Sequence, residues 1–177
     1  MPQYKRLVIE GGTLLDGTGR EPLKNAIIVV EGTRIKKVGV KSEGGEAKIV
    51  EAKEKFILPG LIDCHVHFTM SSGLIRGVNA SLVQPLPITV LESAKRLESM
   101  LESGFTTIRD CGAVDHVDIA LKQAVEMNLI SGPRIISCGM ALAVTGGHCI
   151  TYLPEFDNMP LPHSIAREVD VQANYFP

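Results

Sequence analysis

The chain has no apolar run long enough to cross a bilayer. A spanning helix takes roughly 20 residues, whereas the uninterrupted apolar stretch Ala26–Val30 covers only five. Met1–Glu10 has no basic flank followed by an apolar core and a small-residue cleavage site, so a secretory leader is not expected there. There is no C-x-x-C pair among the four cysteines, which argues for reduced thiols in a cytoplasmic protein rather than a disulfide framework. Charge of one sign is not in excess either. Eighteen Lys and Arg face 20 Asp and Glu, a formal net charge of −2, which argues against a sequence-independent grip on nucleic acid or anionic lipid. No G-x-x-x-x-G-K-[ST], no G-x-G-x-x-G between strand and helix, and no G-x-S-x-G occurs, so neither nucleotide binding nor serine hydrolysis is indicated. Finally, 177 residues fall well short of the roughly 250 that a closed (β/α)8 barrel takes. They suffice for one full domain or two small ones, and 45% apolar with 21% charged residues is ordinary globular composition.

What is present divides at Pro59-Gly60. Before it lie short extended runs separated by turns: Arg6–Glu10, the β-branched Ala26–Val30, Ile35–Val40 and Lys48–Ala52, with turn clusters at Asp16–Gly19 and Glu31–Arg34. No apolar residues recur at helical spacing over more than two turns, so this part is expected to be mostly β. After Pro59-Gly60, strands alternate with helices. Gly60–Phe68, Phe105–Arg109 and Arg134–Ser137 read as strands. Val90–Ser103 reads as a helix with Val90, Leu91, Ala94, Leu97 and Leu101 on its inner face, closed by Gly104 as C′ residue. Val117–Leu129 reads as a second helix with Ile119, Ala120, Ala124 and Met127 facing inward. The order β-α-β-α-β favours a parallel sheet or barrel with crossover helices. Thr151–Pro177 holds four prolines and is expected to carry no regular element.

One constellation carries chemistry. In Pro59-Gly60-Leu61-Ile62-Asp63-Cys64-His65-Val66-His67-Phe68, strand alternation puts His65 and His67 on one face with Asp63 behind them. Ile62, Cys64, Val66 and Phe68 then form an apolar face suited to packing under helices. Imidazole is a good ligand for zinc and similar divalent ions, and two on one rigid strand can be preorganised for a single ion. A bare His-x-His is more often two hydrogen-bonded rings. The Pro-Gly punctuation, the aligned Asp63 and the apolar opposite face favour metal ligation here.

The run Phe56–His67 resembles the entry to the barrel in the amidohydrolase superfamily of metal-dependent hydrolases. Gly11–Gly17 and Ile27–Ile35 are similar to that family's N-terminal β-sandwich, and Gly104–Gly112 to its second barrel strand. Gly132-Pro133-Arg134-Ile135 followed by Thr145-Gly146-Gly147-His148 resembles the third strand and its loop in the dipeptidase-like and imidazolonepropionase-like branches. The resemblance implies an α/β fold in two parts. Residues 1–58 would form part of a composite β-sandwich. Residues 59–177 would form a truncated, incomplete (β/α)8 TIM-type barrel of about three of eight strands.

The resemblance also implies hydrolysis of amide, peptide or cyclic-amide C–N bonds by metal-activated water, with one or two divalent ions, usually zinc, held by His65 and His67. A dipeptidase-like substrate is favoured; a dihydropyrimidinase-like or deaminase-like branch is the alternative. The family's Lys or Glu of the fourth strand, its later His ligands and its closing Asp, the general acid/base, have no counterpart here. No catalytic acid/base is therefore expected in this chain, which alone is expected to be inactive, or to be a non-catalytic remnant or subunit. Its partners are then a small-molecule substrate and either a second copy or a chain supplying the missing barrel.

Among other candidates, His148 in the Gly-Gly-His loop is a substrate contact or a solvated loop residue. Cys149 is read as an incidental thiol, and Cys64, Cys111 and Cys138 as small buried residues. Asp110, closing the second strand, is read as hydrogen-bonded to loop backbone, and His116 and His163 as surface residues.

Overall fold

The computed structural model describes residues 5–41, 46–71, 73–75, 78–144, 147, 152–153, 159–160 and 166–168. It separates into two compact units, Met1–Pro59 and Gly60–Pro177.

The first unit is a five-stranded sheet. Strand β2 (Leu23–Glu31) pairs antiparallel with both β1 (Arg6–Leu14) and β3 (Arg34–Gly39), while β4 (Lys48–Glu51) and β5 (Phe56–Ile57) lie parallel to β1. β-Branched residues dominate β2 because two substituents on Cβ suit a pleated, half-buried surface. Alternation along β2 sends Ala26 and Ile28 into a cluster with Leu14, onto which Ile9, Leu23, Val30 and Ile57 pack. Val29 faces the other way and is buried opposite Val8.

The second unit is built on a parallel three-stranded sheet, in the order β10 (Arg134–Ile136), β9 (Phe105–Asp110), β6 (Leu61–Val66). A short hairpin, β7 (Leu74–Ile75) with β8 (Val78–Asn79), follows β6. Helix α1 (Leu86–Glu102) connects to β9, and α2 (Val117–Glu126) connects β9 to β10. One side of the sheet is sealed by Val66, Phe68, Leu97, Ile108, Val117, Leu121 and Ile135. Each such side chain contributes roughly 1.5–3 kcal/mol when fully buried. The other side is open. Ile62 is 65% and Ile136 51% exposed on it.

The inner face of α1 includes the expected Val90, Ala94 and Leu97 but not Leu91, and that of α2 differs from the one expected. In α1, Leu97 is fully buried while Leu91 is 67% exposed. The inner stripe runs through Leu86, Val90, Ala94, Leu97 and Met100, and Leu91 sits about 100° round the axis from Val90. In α2 the buried positions are Val117, Asp118 and Leu121, with Val125 packed beside them. Ile119, Ala120 and Met127 are exposed. The i, i+4 row of branched residues offered more apolar area than the row containing two alanines, so it took the core face. α2 also stops short of Leu129, since Asn128 has φ +57°.

Within Thr151–Pro177, where no element was expected, β12 (Tyr152–Leu153) pairs with β13 (Met159–Pro160). β14 (Ala166–Glu168) lies parallel to β11 (Ala141–Ala143). Strands of two or three residues are too short to show a periodicity. No helix among the described residues is long and apolar enough to cross a membrane.

Candidate functional site

The site lies at the C-terminal end of β6. Entry to that strand depends on Gly60, where a Cβ would collide with the Thr106 side chain and sit 2.7 Å from its Cβ. The strand is not regular. Asp63 pairs with Ile108 but Val66 with Asp110, so three steps on β6 oppose two on β9. This bulge interrupts the simple alternation, which is why Ile62 and Cys64 are exposed and only Val66 and Phe68 join the core. The Asp63 carboxylate stabilises the bulge by accepting a hydrogen bond from the His65 N–H at 3.0 Å.

Past the bulge, His65 and His67 converge. Their rings lie edge to face, with centroids 5.3 Å apart. The two Nε2 atoms are 3.3 Å apart. His67 Nδ1 lies 3.0 Å from the Gly112 carbonyl oxygen. A carbonyl can only accept, so Nδ1 carries the proton and donates it, leaving Nε2 of neutral His67 bare. That bare nitrogen is placed to accept from His65 Nε2 when the latter carries its proton.

The backbone around His67 is held from several sides. Val66 O accepts from Cys111 N–H at 2.9 Å, and His67 O from Met70 N–H at 3.0 Å. Phe68 O accepts from the Arg96 guanidinium at 3.0 Å, and Arg96 is in turn paired with Glu92 at 2.9 Å. Phe68 N–H donates to Asp110 Oδ2 at 3.2 Å, and Gly112 N–H to Asp110 Oδ1 at 2.8 Å. Asp110 is fully buried. Burial pushes its pKa up from 3.8 to about 6, with the charge of Asp118 adding to the rise. The Gly112 and Phe68 N–H groups and His67 act in the opposite direction. Asp118, also fully buried, accepts from Gly139 N–H at 2.8 Å.

The donor set suits a divalent ion in one respect that can be checked. Two nitrogens bound tetrahedrally to one zinc at about 2.0–2.1 Å must lie about 3.3–3.4 Å apart, and the Nε2 atoms are 3.3 Å apart. Among the described residues, no group of three His, Cys, Asp or Glu could hold a metal ion.

The remaining candidates fall as follows. His148, Cys149 and His163 lie outside the described residues. His116 is exposed, with φ +61°. Cys64 and Cys138 are exposed and Cys111 half-buried, rather than small core residues. Cys111 and Cys138 continue the open-side rows of Arg109 and Ile136, opposite Ile108 and Ile135. Partial desolvation by neighbouring atoms, together with the charges of Asp110 and Asp118, raises the Cys138 thiol pKa. Gly112 was not singled out from the sequence. The available signal was Asp110-Cys111-Gly112, because Asp often accepts a hydrogen bond from the N–H two residues on.

Residues 56–174 match the amidohydrolase family. A solved prolidase, complexed with N-methylphosphonate-L-proline, is 35% identical with a TM-score of 0.77, over 93% of this chain and 40% of its own. A Xaa-Pro dipeptidase with bound methionine in its active site is 29% identical with a TM-score of 0.70, over 81% of this chain and 35% of its own. Ochratoxinase of Aspergillus niger is 28% identical over 150 residues, which is 82% of this chain and 30% of that enzyme. The chain thus spans between a third and two fifths of the lengths of the two solved structures, and less than a third of ochratoxinase.

Proposed function

Because the chain belongs to the amidohydrolase family, we propose that it contributes the opening part of a metal-dependent hydrolase of C–N bonds, with dipeptides as the favoured substrate class. In this reading residues 1–58 belong to a β-sandwich and residues 59–177 to an incomplete (β/α)8 barrel. The similarity to a prolidase and a Xaa-Pro dipeptidase supports the substrate class. The open side of the sheet, with Ile62 and Ile136 bare, supports a barrel that needs further strands. His148 is proposed as a substrate contact.

The observation that carries the metal assignment is the pair of Nε2 atoms 3.3 Å apart at the C-terminal end of β6, the strand that would open the barrel. His65 and His67 would hold the ion. A bound divalent ion, zinc above all, would supply Lewis-acid polarisation of the scissile carbonyl and activation of water at neutral pH. The protein's own part is geometric. His67 presents a bare Nε2 because its other nitrogen is tied to Gly112, and Arg96 and Asp110 hold the strand end that carries the ring. Two side-chain ligands among the described residues fall short of the three usual at catalytic zinc. The remaining ligands and the proton-transferring Asp are therefore proposed to come from sequence beyond these residues.

Zinc titration of the chain by calorimetry, with His65→Ala, His67→Ala and the double variant alongside, tests the reading. One ion per chain is expected, with affinity at least tenfold lower in each single variant. Equal affinity in the double variant would refute it. For substrate class, the chain completed with the rest of a barrel is assayed on dipeptides and cyclic amides. Dipeptide cleavage abolished by His65→Ala is expected.

A further inference from the structure

We propose that Asp110 is the positioning residue for His67, its carboxylate holding together the two backbone points that fix where the imidazole sits and which nitrogen it offers. The inference rests on the metal reading of His67 but can be measured without a metal. One carboxylate oxygen accepts from Phe68 N–H at 3.2 Å, the residue directly after His67. The other accepts from Gly112 N–H at 2.8 Å, and the carbonyl of that same Gly112 takes the proton of His67 Nδ1 at 3.0 Å. One side chain therefore anchors both the root of the imidazole and the acceptor that selects its tautomer. Gly112 is suited to this place. Its φ of +151° disfavours side chains, and a Cβ there would lie 3.4 Å from His67 Nδ1 and Cε1. Asp110 is fully buried, so bulk water does not compete for either hydrogen bond. The two halves of the bracket are more than 40 residues apart in sequence. Outer partners of metal-binding histidines typically change affinity by about 10–100-fold when removed.

The test is nitrogen NMR of the imidazoles in the metal-free chain at pH 8, followed by zinc titration. Wild type is expected to show His67 protonated on Nδ1, with couplings across the hydrogen bonds from the Phe68 and Gly112 amides to the Asp110 carboxyl carbon. Asp110→Asn presents an NH2 where one N–H needs an acceptor. It is expected to mix the His67 tautomers and lower zinc affinity about 10–100-fold. Leu121→Ala, which opens the core beneath α2 without touching the bracket, is expected to do neither. His67 protonated on Nε2 in wild type, absence of both couplings, an unchanged His67 signal in Asp110→Asn, or the same change in Leu121→Ala would each overturn the proposal. The wild-type spectra decide it even if the Asn variant does not fold. Failure of wild type to bind zinc, with His67 still protonated on Nδ1 and coupled through Asp110, would overturn the metal reading and support the bracket.

Discussion

Replacing Asp110 with Asn should change not only the stability of the second unit but its pH dependence. In the folded protein the carboxyl titrates near 6, raised by burial, against 3.8 ordinarily. Between those values the folded state holds a proton that the unfolded chain has released, so stability falls as pH rises through the window. Below about pH 4 both states are protonated and the group costs nothing; above about pH 6 the cost is complete. At about 1.4 kcal/mol per pH unit, the gap amounts to about 3 kcal/mol. Asn cannot titrate and escapes this slope. It loses one of two buried hydrogen bonds at every pH, which costs about 1–3 kcal/mol. Wild type should therefore be the more stable at pH 4, and the advantage should shrink by about 2 kcal/mol by pH 7, reaching parity or reversal. Urea unfolding followed by helical circular dichroism is the assay, since α1 and α2 both lie in this unit. Titrations of groups remote from Asp110 cancel in the difference. A difference between wild type and variant that stays constant from pH 4 to 7 would refute the reasoning.

Two further perturbations probe the packing that positions the site. Leu97→Ala removes a fully buried side chain from the cluster beneath β6 and β9, and a loss of about 2–5 kcal/mol in urea unfolding is expected; a loss below about 1 kcal/mol would contradict the assigned core. Gly60→Ala should cost about 1–3 kcal/mol by overpacking against Thr106. Thr106→Gly in the same chain should recover much of that cost, a non-additivity measurable in a double-mutant cycle, whereas simple additivity would mean that the contact is not the cause.

Much of the second unit was legible because its signals are local. Pro59-Gly60 marks the start of β6, Gly104 ends α1 at φ +94°, and the succession of strands and helices follows from short-range periodicity. Which face of α2 turns inward was not legible. Ile119, Ala120, Ala124 and Met127 make as plausible a stripe in isolation as Val117, Leu121 and Val125, and only the sheet beneath selects between them.

The sequence by itself determined the imidazole pair. Two histidines one residue apart near the end of an apolar strand are a covalent fact, and their convergence needs little beyond backbone geometry. Tertiary structure alone decided what each ring can do. The slipped register between β6 and β9 set the side to which Ile62 and Cys64 turn, and the end of β9 and the loop after it brought a buried carboxylate and a carbonyl to His67 from more than 40 residues away. Hydrogen bonds across such separations are fixed by the packing of the strands that carry them, and no local pattern of residue types encodes them.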